Sequence, residues 1–188
     1  MEIVPVGDTN RLFHITDVLP DNLFQDLLQV AWDTVPWQRI PNQSHLPRRQ
    51  LELDYMPLFK DIAQCLRQQR VVIEHELNIQ FRRDHFNTIW WYDEPGYSID
   101  IHTDGHLPAA MQLFWIASDQ AQVTVFYQYK NKQYPISDFK FVPNTGYIML
   151  NMPDTDGTQP LLWHGMTTPV PADQFRISSY SLLGVYSQ

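Results

Sequence analysis

The sequence predicts an α+β fold that is mainly β, with two N-terminal helices ahead of an antiparallel core closed as a barrel or sandwich. Three observations carry that prediction. Two stretches before residue 70 repeat apolar residues at helical spacing; eight short runs after it are rich in β-branched and aromatic residues; and Pro, Gly, Asn and Asp punctuate those runs. At 188 residues, 44% hydrophobic and 13% aromatic, the chain can bury a real core. A single domain is expected, with helical support over about 1–70 and a β core over about 71–188.

In chain order, Leu19-Pro20-Asp21-Asn22 opens the first helix. Asp21 or Asn22 can cap it, and Leu23, Phe24, Leu27, Leu28 and Ala31 form its stripe to an end near Asp33. Trp37 to Glu52 carries Pro41, Pro47 and Arg48-Arg49 without periodicity and reads as a surface loop suited to act as a lid. Pro57-Leu58-Phe59 starts the second helix, whose Ile62, Ala63, Cys65 and Leu66 make an apolar stripe before polar Gln68-Gln69-Arg70. The strand runs then read Leu77 to Arg82, Phe86 to Tyr92, Ser98 to His102, Met111 to Ile116, Gln122 to Tyr129, Gly146 to Leu150, Leu161 to Trp163 and Phe175 to Leu183. Glu94-Pro95-Gly96, Pro143-Asn144-Thr145-Gly146 and Asp154-Thr155-Asp156-Gly157 mark turns between them.

Charge narrows the function classes. The formal net charge is -8 and the pI about 5.2, so no general field draws the protein to nucleic acid or to an anionic membrane. Cys65 is the single cysteine, which rules out an internal disulfide and fits a reducing compartment. The first residues lack a basic, apolar leader, and no segment approaches the roughly 18 apolar residues of a membrane span, so a cytoplasmic location is expected.

The chemistry concentrates in Tyr97-Ser98-Ile99-Asp100-Ile101-His102-Thr103-Asp104-Gly105. On a strand, His102 and Asp104 share a face at a separation of roughly 6.6 Å and can converge on one ion. A second histidine arrives in Trp163-His164-Gly165, and one carboxylate with two imidazoles is the set that holds ferrous iron with three positions open. The pair His102 and Asp104 alone is more often a surface hydrogen-bonded pair; the later residues raise it to a candidate site. His106 lies about 13 Å along an extended chain from His102, too far to share one ion, and is expected at the pocket rim. His14, His45, His75 and His85 have no such partners in sequence and read as solvated or singly hydrogen-bonded.

The series His102-Thr103-Asp104, Trp163-His164-Gly165 and Arg176-Ile177-Ser178 resembles the iron(II)- and 2-oxoglutarate-dependent oxygenases of the prolyl-hydroxylase-like type, over roughly Trp90 to Leu183. The resemblance implies a double-stranded β-helix, a jelly-roll or cupin-like barrel, with the helices packed on one sheet. It implies His102, Asp104 and His164 as iron ligands, Arg176 and Ser178 as anchors of the distal carboxylate of 2-oxoglutarate, and Tyr92 aimed at the same carboxylate. Molecular oxygen is the implied cosubstrate and ascorbate a candidate reductant. The physics of the anchor fits: Arg176 and Ser178 are two apart on a strand, so guanidinium and hydroxyl share a face and can both donate to one carboxylate. Tyr92, among Trp90 and Trp91, reads equally well as core.

The implied reaction hydroxylates a substrate while 2-oxoglutarate is decarboxylated to succinate. Met111, Leu113, Trp115, Met149 and Trp163 could form an apolar box around it, although each reads first as barrel core. Trp90, Trp91 and Tyr97 flank the metal strand and offer an apolar wall to a small molecule or a peptide segment, with Arg48 and Arg49 placed to meet an anionic group on it. Two rivals remain at this stage. One is a cupin-like metal enzyme that does not use 2-oxoglutarate; the other is a non-catalytic β-helix binding module.

Overall fold

A computed structural model describes the chain except residues 8–9, 41–45, 53–55, 106–108, 118–122, 129–133, 152–161 and 186–188, and the side chains of 52, 82–87, 117, 182, 184 and 185. Two antiparallel sheets face each other. The strands are β1 (Glu2–Pro5), β2 (Leu12–Thr16), β3 (Gln38–Arg39), β4 (Arg48–Glu52), β5 (Phe81–Asp93), β6 (Ile99–His102), β7 (Ala109–Ala117), β8 (Val123–Tyr127), β9 (Pro135–Lys140), β10 (Thr145–Leu150), β11 (Trp163–Met166) and β12 (Arg176–Val185). The larger sheet runs β1-β2-β10-β7-β12-β5-β4-β3 and the smaller β6-β11-β8-β9.

Strand alternation divides the larger sheet into two working faces. Trp90, Met111, Leu113, Trp115, Ile148 and Ile177 point to one side and pack with Leu27, Phe59, Ile62 and Leu66 of the helices α1 (Asp21–Leu28) and α2 (Pro57–Leu77). This is the buttressed core, with Trp90 stacked on Trp115 and set against Phe59 at ring distances of 5.4 and 4.8 Å. Ala110, Phe114, Tyr147, Met149 and Tyr180 point to the other side, where Phe126 and Phe139 of the smaller sheet meet them.

Several elements differ from the expectation. The first 70 residues supply four strands as well as two helices, so the N-terminal part is not a purely helical support. Their polar and proline-containing sequences, EIVP and RRQLE, suit strands at the margins of a sheet, where proline costs no ladder bond and solvent meets the outer edge. The stretch read as a surface loop forms β3 and β4, which extend the sheet beyond β5; residues 41–45 lie outside the described residues. The first helix ends at Leu28 and a separate 3-10 turn spans Trp32–Thr34; Pro20 takes the cap position, without a side-chain cap bond. α2 continues past Arg70 to Leu77, because Leu66 and Ile73 stay on the buried stripe while Val71 and Val72, β-branched and strand-like in sequence, face solvent. It stops at Asn78, left-handed at φ 51°, a conformation asparagine tolerates.

Candidate functional site

A cavity of about 240 Å³ lies between the sheets. Arg48 (β4), Trp91 (β5), Gln112 (β7), Tyr147 (β10), Arg176 and Tyr180 (β12) line it from the larger sheet; Ile99 and His102 (β6), Thr124 (β8) and His164 to Met166 (β11) line it from the smaller. Asp104, Tyr97 and Phe141 complete the wall.

His102, Asp104 and His164 meet on this wall. One possible ligand atom from each lies within 4.8 Å of the others. β6 and β11 pair with His164 directly opposite His102, and Asp104 follows just beyond the end of β6. Gly165 makes that approach possible, since a Cβ there would stand 3.0 Å from the backbone of Asp100 and Ile101. The Nε2 atoms of His102 and His164 lie 3.5 and 3.7 Å from the two carboxylate oxygens of Asp104. Each imidazole donates its Nδ1 proton to a backbone carbonyl, His102 to Asp100 at 2.8 Å and His164 to Leu162 at 3.4 Å. With Nδ1 turned to a carbonyl, Nε2 is the ring atom that faces the carboxylate and is placed to bind a divalent ion. The Tyr180 hydroxyl donates to Asp104 Oδ2, and Asn151 Nδ2 donates to the Asp104 carbonyl at 3.4 Å.

Burial sets the electrostatics. Desolvation lowers the His164 pKa to about 4, against a smaller opposing pull from Asp104, and Phe126 stacks on its ring at 5.1 Å. Burial, then the nearby Asp104 carboxylate, pushes the Tyr147 and Tyr180 hydroxyls far up, and burial lifts Tyr97 to about 12. All three are O–H donors at any physiological pH.

Arg176 is fully buried and lines the same cavity. Its Nη2 bonds Asp93 Oδ2 at 2.8 Å, its Nη1 faces only the Met166 thioether, and its Nε is buried without a partner among the described residues. Asp93 is also gripped by Arg48, through Nε at 2.5 Å and Nη2 at 3.1 Å. The Arg48 guanidinium is sandwiched between Trp91 and Tyr97, 3.9 Å from each ring.

The remaining predicted residues fall in several places. Ser178 shares the face of Arg176 and Tyr180 but sits behind Gln112, whose Nε2 approaches its hydroxyl at 3.4 Å while Tyr147 donates to Gln112 Oε1 at 2.6 Å. Strand parity turns Tyr92 away from Trp91 and Asp93; it is not among the residues that line the cavity and packs on Phe175 and Trp37 at 5.3 and 5.4 Å, in line with its reading as core. Trp90, Met111, Leu113 and Trp115 face the helices, and Met149 packs among the aromatic residues beside the cavity without lining it. His75 is exposed beside Glu76 and His14 packs against Phe139; His45 and His106 lie outside the described residues, as does the His85 side chain. Sequence reasoning missed Asp93, Gln112, Tyr147 and Tyr180. Asp93 follows Tyr92 directly, and parity with Trp91 is the signal that would have found it.

The sequence matches no family model and no curated protein, but the fold matches solved structures. A Pseudomonas putida prolyl-4-hydroxylase superposes with a TM-score of 0.67 at 14% identity, over 95% of each chain. A viral collagen prolyl hydroxylase from Paramecium bursaria Chlorella virus-1, in complex with 2-oxoglutarate, gives 0.61 at 14% identity over 96% of this chain and 100% of that one. HygX from Streptomyces hygroscopicus, with nickel and 2-oxoglutarate bound, gives 0.63 at 11% identity over 94% and 84%. The chain therefore has the double-stranded β-helix fold that these proteins share, with its helices packed on the larger sheet.

Proposed function

We propose that this chain is an iron(II)- and 2-oxoglutarate-dependent dioxygenase that hydroxylates a small molecule or a peptide side chain. The observation that carries the reading is the convergence of His102, Asp104 and His164 within 4.8 Å on the wall of a cavity also lined by Arg176. The similar structures agree with it, two being prolyl hydroxylases and one holding nickel with 2-oxoglutarate. Iron held there supplies oxygen activation coupled to decarboxylation of 2-oxoglutarate to succinate, with ascorbate as the candidate reductant.

The chain's own residues do the rest. His102 and His164 offer neutral Nε2 atoms, and Asp104 offers the single negative charge, steadied by Tyr180. Arg176 has donors to give: among the described residues its Nη1 meets only a thioether, a weak acceptor, and its Nε has no partner, so a carboxylate entering the cavity finds a guanidinium with unused donors. Ser178 acts from behind, through Gln112, and Trp91, Tyr97, Phe141 and Tyr147 form an aromatic wall that excludes water from the reacting groups.

Anaerobic titration with iron(II) and then 2-oxoglutarate tests the reading. A weak charge-transfer band in the visible is the expected result. Metal binding without the band points to a cupin-like enzyme, and no metal binding to a non-catalytic module. Asp104→Ala, which removes the only anionic member of the triad, is expected to abolish iron-dependent succinate formation while the fold survives on its apolar core. Undiminished succinate release with normal iron loading in Asp104→Ala would reject the assignment.

A further inference from the structure

Arg176 does not enter the cavity alone. Asp93, wholly buried, lies against it at 2.8 Å, and a buried carboxylate in that position cancels the charge that an incoming anion would need. Arg48 changes the balance. It comes from β4, ahead of the Trp90 to Leu183 stretch whose sequence motifs carry the family resemblance, and pairing of Arg48 with Asp93 in the β4–β5 register carries it to the cavity. There it takes Asp93 by both oxygens, with the guanidinium held between two aromatic faces. Two guanidiniums against one carboxylate leave one net positive charge, on groups that are 7%, 0% and 0% exposed and so little screened by water.

We propose that Arg48 is a positioning residue of the cosubstrate site: by engaging Asp93 in a two-point ion pair it offsets that carboxylate and leaves Arg176 able to hold the far carboxylate of a 2-oxo dicarboxylate. The inference rests on the 2-oxoglutarate reading above. Without Arg48, Asp93 and Arg176 neutralise each other and the wall offers the far carboxylate no net charge. Without both Arg48 and Asp93, Arg176 stands alone and the single positive charge returns.

Calorimetric Kd values for 2-oxoglutarate and for pyruvate, which lacks the far carboxylate, on manganese(II)-loaded protein test this, with thermal melts reporting folding. Arg48→Met keeps aliphatic packing between Trp91 and Tyr97; it is expected to weaken 2-oxoglutarate by about tenfold or more and to leave pyruvate within about twofold. Arg48→Met with Asp93→Asn is expected to recover 2-oxoglutarate to within about threefold of the parent, a rescue that a purely structural role for Arg48 does not predict. Asp93→Asn alone is expected to bind 2-oxoglutarate no more weakly than the parent, and this arm stands if Arg48→Met fails to fold. Unchanged affinity in Arg48→Met, equal loss for both ligands, no rescue in the double variant, or tenfold weakening in Asp93→Asn each overturns the proposal. A parent protein that binds manganese but not 2-oxoglutarate overturns the functional reading itself, and this proposal with it.

Discussion

His164 sits at 5% exposure, and burial lowers its pKa from the ordinary 6.5 to about 4. Between those values the unfolded chain binds a proton at this position that the folded, metal-free protein refuses. Stability therefore rises with pH across that window and is lost as pH falls through it, by up to about 3 kcal/mol for a shift of this size. The urea midpoint of metal-free protein is expected to drop between about pH 7 and pH 4.5, and to drop less in His164→Gln; equal declines in the two proteins would locate the effect elsewhere. At this scale the sequence brings His102, Asp104 and His164 to notice through residue chemistry and Arg176 through the family resemblance, and all four line one cavity. It pointed to Arg48 only as a cation for the substrate and was silent on Asp93 and on their ion pair, which depends on a strand pairing 45 residues apart. Tyr92 shows the limit most clearly: alternation says that it opposes Trp91, but not which of the two faces the cavity.

At the scale of elements, β10 lies between β2 and β7 in the larger sheet, and Gly146 is paired with Ile15 on one side and Leu113 on the other. A Cβ at Gly146 would stand 2.1 Å from the Gln112 carbonyl oxygen and 2.9 Å from the Leu113 Cα, both backbone atoms that cannot swing aside. Gly146→Ala must therefore push β10 off β7, and a cost of about 1 to 3 kcal/mol or more is expected in urea unfolding, with the Gln112–Tyr147 bond disturbed as well. A midpoint unchanged by Gly146→Ala would mean that the strands separate freely there. The strands legible in sequence were the buried ones, such as β7 and β12, where bulky apolar and β-branched residues follow one another. β1, β2, β3, β4 and β9 were not: β1, β3, β4 and β9 are short marginal strands whose proline or charge gives them the composition of loops, and β2, despite its buried Leu12 and Ile15, is only five residues long. The pairing of β4 with β5 matters most, because it turns an apparent lid into part of the cavity wall.

Over the whole molecule, charge limits what can approach the cavity. Lys and Arg number 13 against 21 acidic residues, giving a net charge of -8. The basic pair that might have attracted a phosphate backbone is already engaged: Arg48 is buried against Asp93, and Arg49, together with Arg39, pairs with Glu94 at 2.5 and 2.6 Å. The other adjacent basic pair, Arg82-Arg83, has side chains outside the described residues. Each phosphate contact requires a cation able to exchange counterions with the polymer, and the Arg48–Arg49 segment offers none without breaking an ion pair. The cavity wall instead presents Trp91, Tyr97, Phe141 and Tyr147, surfaces suited to a compact apolar or peptide substrate. We therefore expect no measurable oligonucleotide binding at physiological salt by fluorescence anisotropy. Succinate release screened against amino acids, peptides and methylated oligonucleotides should respond to one of the first two classes; stimulation by the oligonucleotides alone would mean that the acidic field is bypassed by a basic surface elsewhere on the chain, and would overturn the substrate class.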